Sequence, residues 1–190
     1  SSGSGLTVKW DPEEEKFDVE SIDTSSHVLT HHAGSNFRPY FHPLISPDQK
    51  GVLTEYSPGH HPHQTGLYWG FTRVNGRDFF HNPGKSHWRR IDVIINQASG
   101  DRVSWKTVYD MLDDKGKVIM TETQSWAVWF EDGRYIMDLN WRGEARTDVK
   151  IGRYDYGGLF LRMPWKSGVK AESFTGARHK NQEGEGQRGL

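Results

Sequence analysis

The sequence has no cysteine among its 190 residues, which excludes disulfides, thiolate nucleophiles and cysteine-ligated metal sites. It also lacks an excess of either charge, because 24 lysines and arginines oppose 25 aspartates and glutamates, for a formal net charge of -1. No single-sign field therefore favours nucleic acid or an anionic membrane as a partner. No apolar run reaches the roughly 20 residues of a membrane-spanning helix, so we expect no membrane span.

The sequence also lacks an amphipathic helical repeat. Apolar residues instead recur at every second position, as in the runs 102–109 and 135–142, which is typical of half-buried strands. Turn pairs such as Asn75-Gly76 and Asp132-Gly133 separate the runs. Many strands with short turns predict an all-β, antiparallel sandwich or barrel. We expect strands near 6–10, 16–20, 27–31, 37–42, 67–74, 91–97, 102–110, 117–130, 134–145 and 157–163.

Composition divides the chain into three parts. Residues 1–5 are serine and glycine and read as a tag or linker remnant. Residues 6–165 carry the strand pattern and are long enough for one domain with a proper core. Residues 166–190 are rich in glycine, lysine and glutamate, which predicts a polar loop leading into a C-terminal part that this chain lacks.

Three of the ten histidines, His60, His61 and His63, fall within four positions. On an extended backbone, residues two apart leave the same face, so we expect the His61 and His63 side chains to point together. Imidazole can ligate a metal ion or move a proton near neutral pH. We therefore interpret this segment as the centre of the functional site.

A second polar group precedes the histidines. Arg38, Tyr40 and His42 alternate with other residues and should share one face of a strand. These side chains are costly to bury without partners. We expect them to line a polar cleft, in which the Arg38 guanidinium binds a carboxylate or vicinal hydroxyls.

An ordered series of motifs resembles one known family more closely than any single motif does. The series comprises Arg38-Pro39-Tyr40, His42-Pro43-Leu44, His61-Pro62-His63, Gly66-Leu67-Tyr68-Trp69-Gly70, Val74-Asn75-Gly76 with Asp78-Phe79-Phe80, Gly157–Pro164 and Glu185-Gly186-Gln187-Arg188-Gly189. It is similar to the bacterial family labelled "methane oxygenase PmoA", a set of uncharacterised soluble β-proteins. Because no apolar run is long enough to span a membrane, we do not interpret the label as the membrane monooxygenase.

This resemblance implies a sandwich similar to the galactose mutarotase-like supersandwich. It also implies an exported protein, secreted or periplasmic, of bacteria that consume polysaccharides. Relatives continue beyond the final motif, so we expect this chain to lack the last strands. Open sheet edges would then favour oligomers.

Three kinds of site remain open. In the first, His61 and His63 bind a divalent metal (Zn, Fe, Mn, Cu or Ni), with His42, His81 or Glu55 as a further ligand. Such an ion polarises a sugar carbonyl or lowers the pKa of a bound water.

In the second, no metal is present and the histidines are general acid and base on a sugar. The resembled fold pairs an imidazole with a carboxylate for this purpose. The carboxylates to consider are Asp155, Glu183 and Glu185.

In the third, the chain is a non-catalytic carbohydrate-binding module. Aromatic residues make up 13% of the chain, and their flat rings with polar edges suit sugar stacking. The stacking surfaces would be Tyr68, Trp69, Trp88 and Trp165.

We favour an enzyme that acts on a glycoside or an oxidised (keto) sugar by lyase, epimerase or hydrolase chemistry, because titratable groups concentrate here as they do in active sites. The binding module is the alternative. The predicted catalytic residues are Arg38, Tyr40, His42, His61 and His63. The predicted substrate-binding residues are Trp69, Asp155, Arg162, Glu183, Glu185 and Arg188.

Overall fold

The computed structural model describes residues 5–81, 84–164, 166–167, 170–175 and 178–183, the last two ranges by their backbone alone. Every regular element in these residues is a β-strand. The strands are β1 Leu6–Asp11, β2 Lys16–Ser21, β3 His27–His32, β4 Tyr40–Leu44, β5 Leu67–Gly70, β6 Trp88–Gln97, β7 Ser99–Gly100, β8 Arg102–Leu112, β9 Val118–Glu131, β10 Arg134–Ala145, β11 Gly158–Leu161, β12 Lys170–Thr175 and β13 Arg178–Glu183.

Two antiparallel sheets pack face to face. The first has the order β11-β5-β4-β3-β2-β1-β7, and the second the order β10-β9-β8-β6. Strands β12 and β13 pair with each other. The all-β antiparallel sandwich predicted from the alternation is confirmed, and it is not a closed barrel.

The core fills the space between the two sheets. Phe17 of the first sheet meets Trp105 of the second with ring centroids 5.7 Å apart. Phe41 meets Trp126 edge-on at 4.6 Å. These rings are almost completely buried. The alternation places one set of side chains of each strand here and the other set on the outer face.

The predicted strands agree with the observed ones to within a few residues, with two differences that bear on function. β4 begins at Tyr40, so Arg38 lies before the strand. Within residues 166–190, where we expected a polar loop, segments 170–175 and 178–183 form a two-stranded antiparallel pair. These segments are mostly polar and lack the regular alternation of apolar and polar residues that predicts a strand.

The outer face of the seven-stranded sheet carries two long connections. Residues 45–66 join β4 to β5, and residues 71–87 join β5 to β6. Tyr40 and Tyr68 are register partners and point to this face, while their neighbours Phe41 and Leu67 point into the core. Within the described residues, the chain has no helix of the length and apolarity needed to span a bilayer.

Candidate functional site

The three clustered histidines lie at the tip of a hairpin formed by residues 55–66, which we call the histidine hairpin. Its stem is closed by hydrogen bonds from Ser57 N to Gln64 O at 2.7 Å and from Gly66 N to Glu55 O at 2.9 Å. The tip contains two successive turns, marked by the bonds from His61 N to Pro58 O and from Gln64 N to His61 O.

The extended backbone expected for the His-Pro-His segment is therefore wrong. Pro62 occupies the second position of the turn that starts at His61, where its fixed φ is favoured. The His61 and His63 rings do not lie side by side on one strand face but meet at 73°, with centroids 5.9 Å apart.

Arg38 holds this hairpin against the neighbouring loop. Its guanidinium donates hydrogen bonds to the carbonyl oxygens of Phe80 and His63 and to Oγ1 of Thr65. It lies over the Tyr68 ring, 3.4 Å from the centroid. Burial lowers the pKa of Arg38 to about 10, so the side chain stays charged at neutral pH.

The position of Arg38 differs from the cleft-lining position predicted for it. Its exposed fraction is 0%, and its guanidinium group donates to oxygen atoms of the protein rather than pointing into an open cleft. The two carbonyls it binds belong to His63 itself and to the residue just before His81. Arg38 is therefore placed to set the distance between these two histidines.

The second loop presents His81 by means of Asp78. Oδ1 of Asp78 accepts hydrogen bonds from the backbone N–H groups of Phe80 and His81, at 2.8 and 2.9 Å. Oδ2 accepts from Nδ1 of the His81 ring at 2.9 Å. Burial works to raise the pKa of Asp78, but these hydrogen bonds outweigh it and lower the pKa. Asp78 is therefore ionised and fixes the proton of His81 on Nδ1.

The other ring nitrogen of His81 contacts a phenol. Nε2 of His81 is hydrogen-bonded to the hydroxyl of Tyr156, 75 positions away in sequence. A carboxylate, an imidazole and a phenol thus form a chain, Asp78–His81–Tyr156, which we call the relay. It has the order of acid, base and activated hydroxyl found in catalytic triads.

His63 lies beside the relay, with its ring centroid 5.1 Å from that of His81. Burial, together with the nearby His81, His61 and Arg38, lowers the pKa of His63. The ring is therefore neutral at pH 7 and can accept a proton. The rings of His60 and His61 continue the row, 4.7 Å apart.

Tyr40 and His42 lie on the same outer face but outside the relay. Nδ1 of His42 is hydrogen-bonded to Oγ1 of Thr54 at 2.7 Å, and burial with the nearby His32 lowers its pKa. Tyr40 stacks on His32 with centroids 4.6 Å apart. The shared face predicted for Tyr40 and His42 is found.

The predicted substrate-binding residues separate into three groups. Trp69 points into the sandwich, where it stacks on Trp141 at 5.1 Å, on the opposite face of the sheet from the relay. Arg162 lies at the stem of the histidine hairpin, where Nε bonds Glu55 at 2.8 Å and Nη2 lies 3.2 Å from Nε2 of His60. Asp155 is exposed and directly precedes Tyr156.

The remaining predicted residues lie outside what the structure describes. Glu185 and Arg188 fall beyond the described ranges, and Glu183 ends β13 but is described by its backbone alone. Of the expected stacking surfaces, Tyr68 and Trp88 are each 1% exposed, so neither ring has a free face for a sugar. The alternation of the sequence does not show which face of a strand is covered, and this is why the prediction fails for them. Trp165 also lies outside the described residues.

The relay was not predicted as a unit. Asp78 and Tyr156 are not among the predicted site residues, and His81 is predicted only as a further metal ligand. One signal was present: an aspartate three positions before a histidine, with Asn75-Gly76 just upstream, suits an Asx-type turn in which the carboxylate bonds the backbone and the imidazole together.

The described residues contain no group of three or more histidine, aspartate or glutamate side chains arranged to hold a metal ion. Both ring nitrogens of His81 are engaged in the relay. One feature favours an ion nonetheless: Nδ1 of His61 is buried and has no hydrogen-bond partner among these residues.

Comparison with known proteins identifies one relation. No curated protein and no solved structure matches the chain. Residues 20–189, which are most of the sequence, match a family described as a family of unknown function, DUF6807. The chain belongs to the DUF6807 family.

Proposed function

We propose that this protein is a carbohydrate-active enzyme that transfers protons on an oxidised (keto) sugar or its glycoside, by lyase or epimerase chemistry. The observation that carries the proposal is the relay Asp78–His81–Tyr156 with His63 beside it. The choice of carbohydrate as the substrate class rests on the resemblance of the motif series to a family that we expect to be exported and sugar-related.

A base and an acid are both available in this arrangement. His63 is neutral because its pKa is lowered, so it can take the proton from a carbon next to a sugar carbonyl. The electrons of that C–H bond form a C=C bond, the neighbouring C–O bond breaks, and the leaving oxygen takes the proton of Tyr156. His81 and Asp78 orient the Tyr156 hydroxyl, the imidazolium formed on His63 balances the charge of the phenolate, and a proton returns from His63 to Tyr156 through solvent.

Epimerisation needs the same two groups. His63 would remove the proton from one side of the carbon, and Tyr156 would return one to the other side. Hydrolysis is less well supported, since glycosidases generally use two carboxyl groups that flank the bond. In this site the groups in contact are imidazoles and a phenol, and the Asp78 carboxylate is bound to the backbone and to His81.

A substrate panel tests the proposal. Methyl 3-keto-glucopyranosides and the parent methyl glucosides would be incubated with the protein, and the products followed by NMR. We expect turnover of the keto-sugars only. Tyr156→Phe and His63→Ala should each lose about 10²- to 10⁴-fold in kcat/KM, while Tyr135→Phe, on the distant strand β10, should not. Equal turnover in all three variants would refute the assignment.

A metal-dependent form of this site is a second candidate, favoured by the orphaned Nδ1 of His61. His61 and His63 would hold a divalent ion such as zinc, iron, manganese, copper or nickel, which would polarise the sugar carbonyl. Elemental analysis of untagged protein and of a His61→Ala/His63→Ala variant tests it. Near-stoichiometric metal that disappears in the variant supports the ion, and metal-free active protein rejects it.

The alternative to an enzyme is a non-catalytic carbohydrate-binding module. Two of its expected stacking residues are buried, but Tyr56 and Tyr154 are 48% and 41% exposed and offer other ring faces. Glycan binding without turnover of any keto-sugar would favour the module over the enzyme.

A further inference from the structure

Beside the histidine hairpin, on the face of the sheet that carries the relay, four rings form a continuous surface. Tyr56, on the hairpin stem, has its ring centroid 5.6 Å from those of both Tyr40 and His42. His32 stacks on Tyr40 at an interplanar angle of 18°. We call these four residues the aromatic platform.

The platform is open to solvent through Tyr56. Tyr56 is 48% exposed, whereas the other three residues of the platform are half-buried. The hairpin presents it in a fixed position, because Tyr56 is bridged to Thr65 and the following residue, Ser57, bonds Gln64 and Pro62. A ring held in place and left exposed can stack on a ligand at little cost in conformational entropy.

The two imidazoles of the platform are neutral at neutral pH. Burial lowers the pKa of both His32 and His42, and burial together with Tyr56 raises the pKa of Tyr40. An anionic or cationic ligand would find no countercharge on these four rings. A ligand with an apolar face and many hydroxyls is a better match.

Polar atoms at the edge of the platform suit hydroxyl groups. His32 uses Nε2 to donate to the carbonyl of His42 at 2.8 Å, which leaves Nδ1 as an acceptor. His42 uses Nδ1 toward Thr54, so that Nε2 is the ring nitrogen on which a ligand would bond. Flat apolar faces bordered by such atoms are the features with which proteins bind sugar rings.

We propose that Tyr56, Tyr40, His42 and His32 form a subsite for a neutral pyranose ring, next to the site that carries the relay. The inference rests on the proposed function for its substrate class and deepens it. Tyr68 and Phe80, at 5.3 Å from each other, separate the platform from Tyr156. That places the two sites roughly 10 to 15 Å apart, given the spacing of paired strands. A glycan of a few units would occupy both.

Affinity electrophoresis in native gels tests the subsite with defined probes: xyloglucan, hydroxyethylcellulose and soluble starch as neutral glycans, and polygalacturonate as a charged one. We expect at least one neutral glycan to retard the protein and polygalacturonate not to do so. Tyr56→Ala should abolish the retardation, and Tyr56→Phe should keep it because the ring remains. Tyr135→Ala is the control for loss of a tyrosine elsewhere, and thermal melts confirm folding.

Each result decides the matter. Unretarded wild-type protein in every neutral gel, or retardation that survives in Tyr56→Ala, overturns the subsite. Failure of the proposed function looks different: Tyr156→Phe would then turn over keto-sugars normally while Tyr56→Ala still loses retardation. If both proposals hold, Tyr156→Phe loses turnover and keeps retardation.

Discussion

Glu122 is a carboxylic acid enclosed in the sandwich. Its two oxygens accept hydrogen bonds from Nε2 of Gln124 and Nε1 of Trp141, both at 2.9 Å, and its exposed fraction is 0%. Burial raises its pKa to about 7, although the Trp141 and Gln124 bonds and the charge of Arg38 work in the opposite direction. The residue therefore takes up a proton on folding at mildly acidic pH.

This raised pKa predicts a pH-dependent stability. At Glu122 the folded state binds more protons than the unfolded state between pH 4.5 and about 7, so the contribution of Glu122 to stability should be full below this window and fall as pH rises through it. Glu122→Gln should remove this pH-dependent loss of unfolding free energy, which is on the order of 3 kcal/mol across the window. Urea unfolding at several pH values measures it, with the exposed Glu131→Gln on the same strand as control. An unchanged slope in Glu122→Gln would contradict the assignment.

Arg38 predicts a combined loss of activity and stability. Arg38→Lys keeps the charge but loses the fork that spans the carbonyls of His63 and Phe80. We expect roughly 3 kcal/mol less stability and a fall in kcat larger than any change in KM, because the distance between His63 and His81 is no longer fixed.

A half-buried arginine provides the control for this variant. Arg90 also donates to a backbone carbonyl, that of Ala33, at 2.6 Å. Arg90→Lys should therefore lose stability but not kcat. Denaturant titrations and keto-sugar kinetics would measure both variants. A normal kcat in folded Arg38→Lys would show that Arg38 does not position the site.

At the scale of elements, Gly66 is where the histidine hairpin turns into β5. Its φ is +68°, and a Cβ built on it would lie 2.0 Å from the carbonyl oxygen of Phe41. Gly76, in the other loop, has a similar φ of +78° but nothing within 4 Å of such a Cβ. Alanine substitutions at the two glycines therefore separate the free-energy cost of a steric collision from the cost of a left-handed backbone.

Gly66→Ala should destabilise the protein by roughly 3 kcal/mol, because strained backbone and collision with β4 add together. Gly76→Ala should cost about 1 kcal/mol, from the left-handed backbone alone. Thermal melts of the two variants measure the difference. Equal losses would mean that β4 moves freely away from the hairpin.

The strands could be predicted from sequence with good accuracy, and the site could not. The alternation in 102–110 and 134–145 identifies strands because one face of each must be buried. The extended backbone predicted for His-Pro-His is wrong because a spacing of two histidines fits a strand and a turn equally well, and Pro62 suits the turn. The bond between His81 and Tyr156 joins residues 75 positions apart, and no local pattern reports such a contact.

At the scale of the whole molecule, one edge of the described part of the first sheet carries exposed apolar side chains. β11 ends the order of the first sheet and β10 that of the second. Leu159 and Leu161 of β11 are 54% and 49% exposed. Unpaired edges with exposed apolar residues favour association.

We therefore expect the protein to self-associate as its concentration rises. A Leu159→Lys/Leu161→Lys variant should stay monomeric, because charge on an edge strand opposes pairing. Val52→Lys/Leu53→Lys removes apolar residues of similar exposure, 44% and 38%, in the connection between β4 and β5 rather than on an edge strand, and should associate like the wild type. Sedimentation equilibrium distinguishes these cases, and a monomeric wild type at all concentrations would contradict the expectation.

The most direct test of the central claim is the exchange of solvent deuterium into methyl 3-keto-glucopyranoside, followed by NMR in D₂O. The account predicts that wild-type protein exchanges the protons on the carbons next to the carbonyl and that His63→Ala does not. Tyr156→Phe should keep exchange but lose elimination, since the base remains and the acid is gone. Exchange that is the same with wild-type protein and with His63→Ala would show that the histidine hairpin and the relay are not the catalytic site.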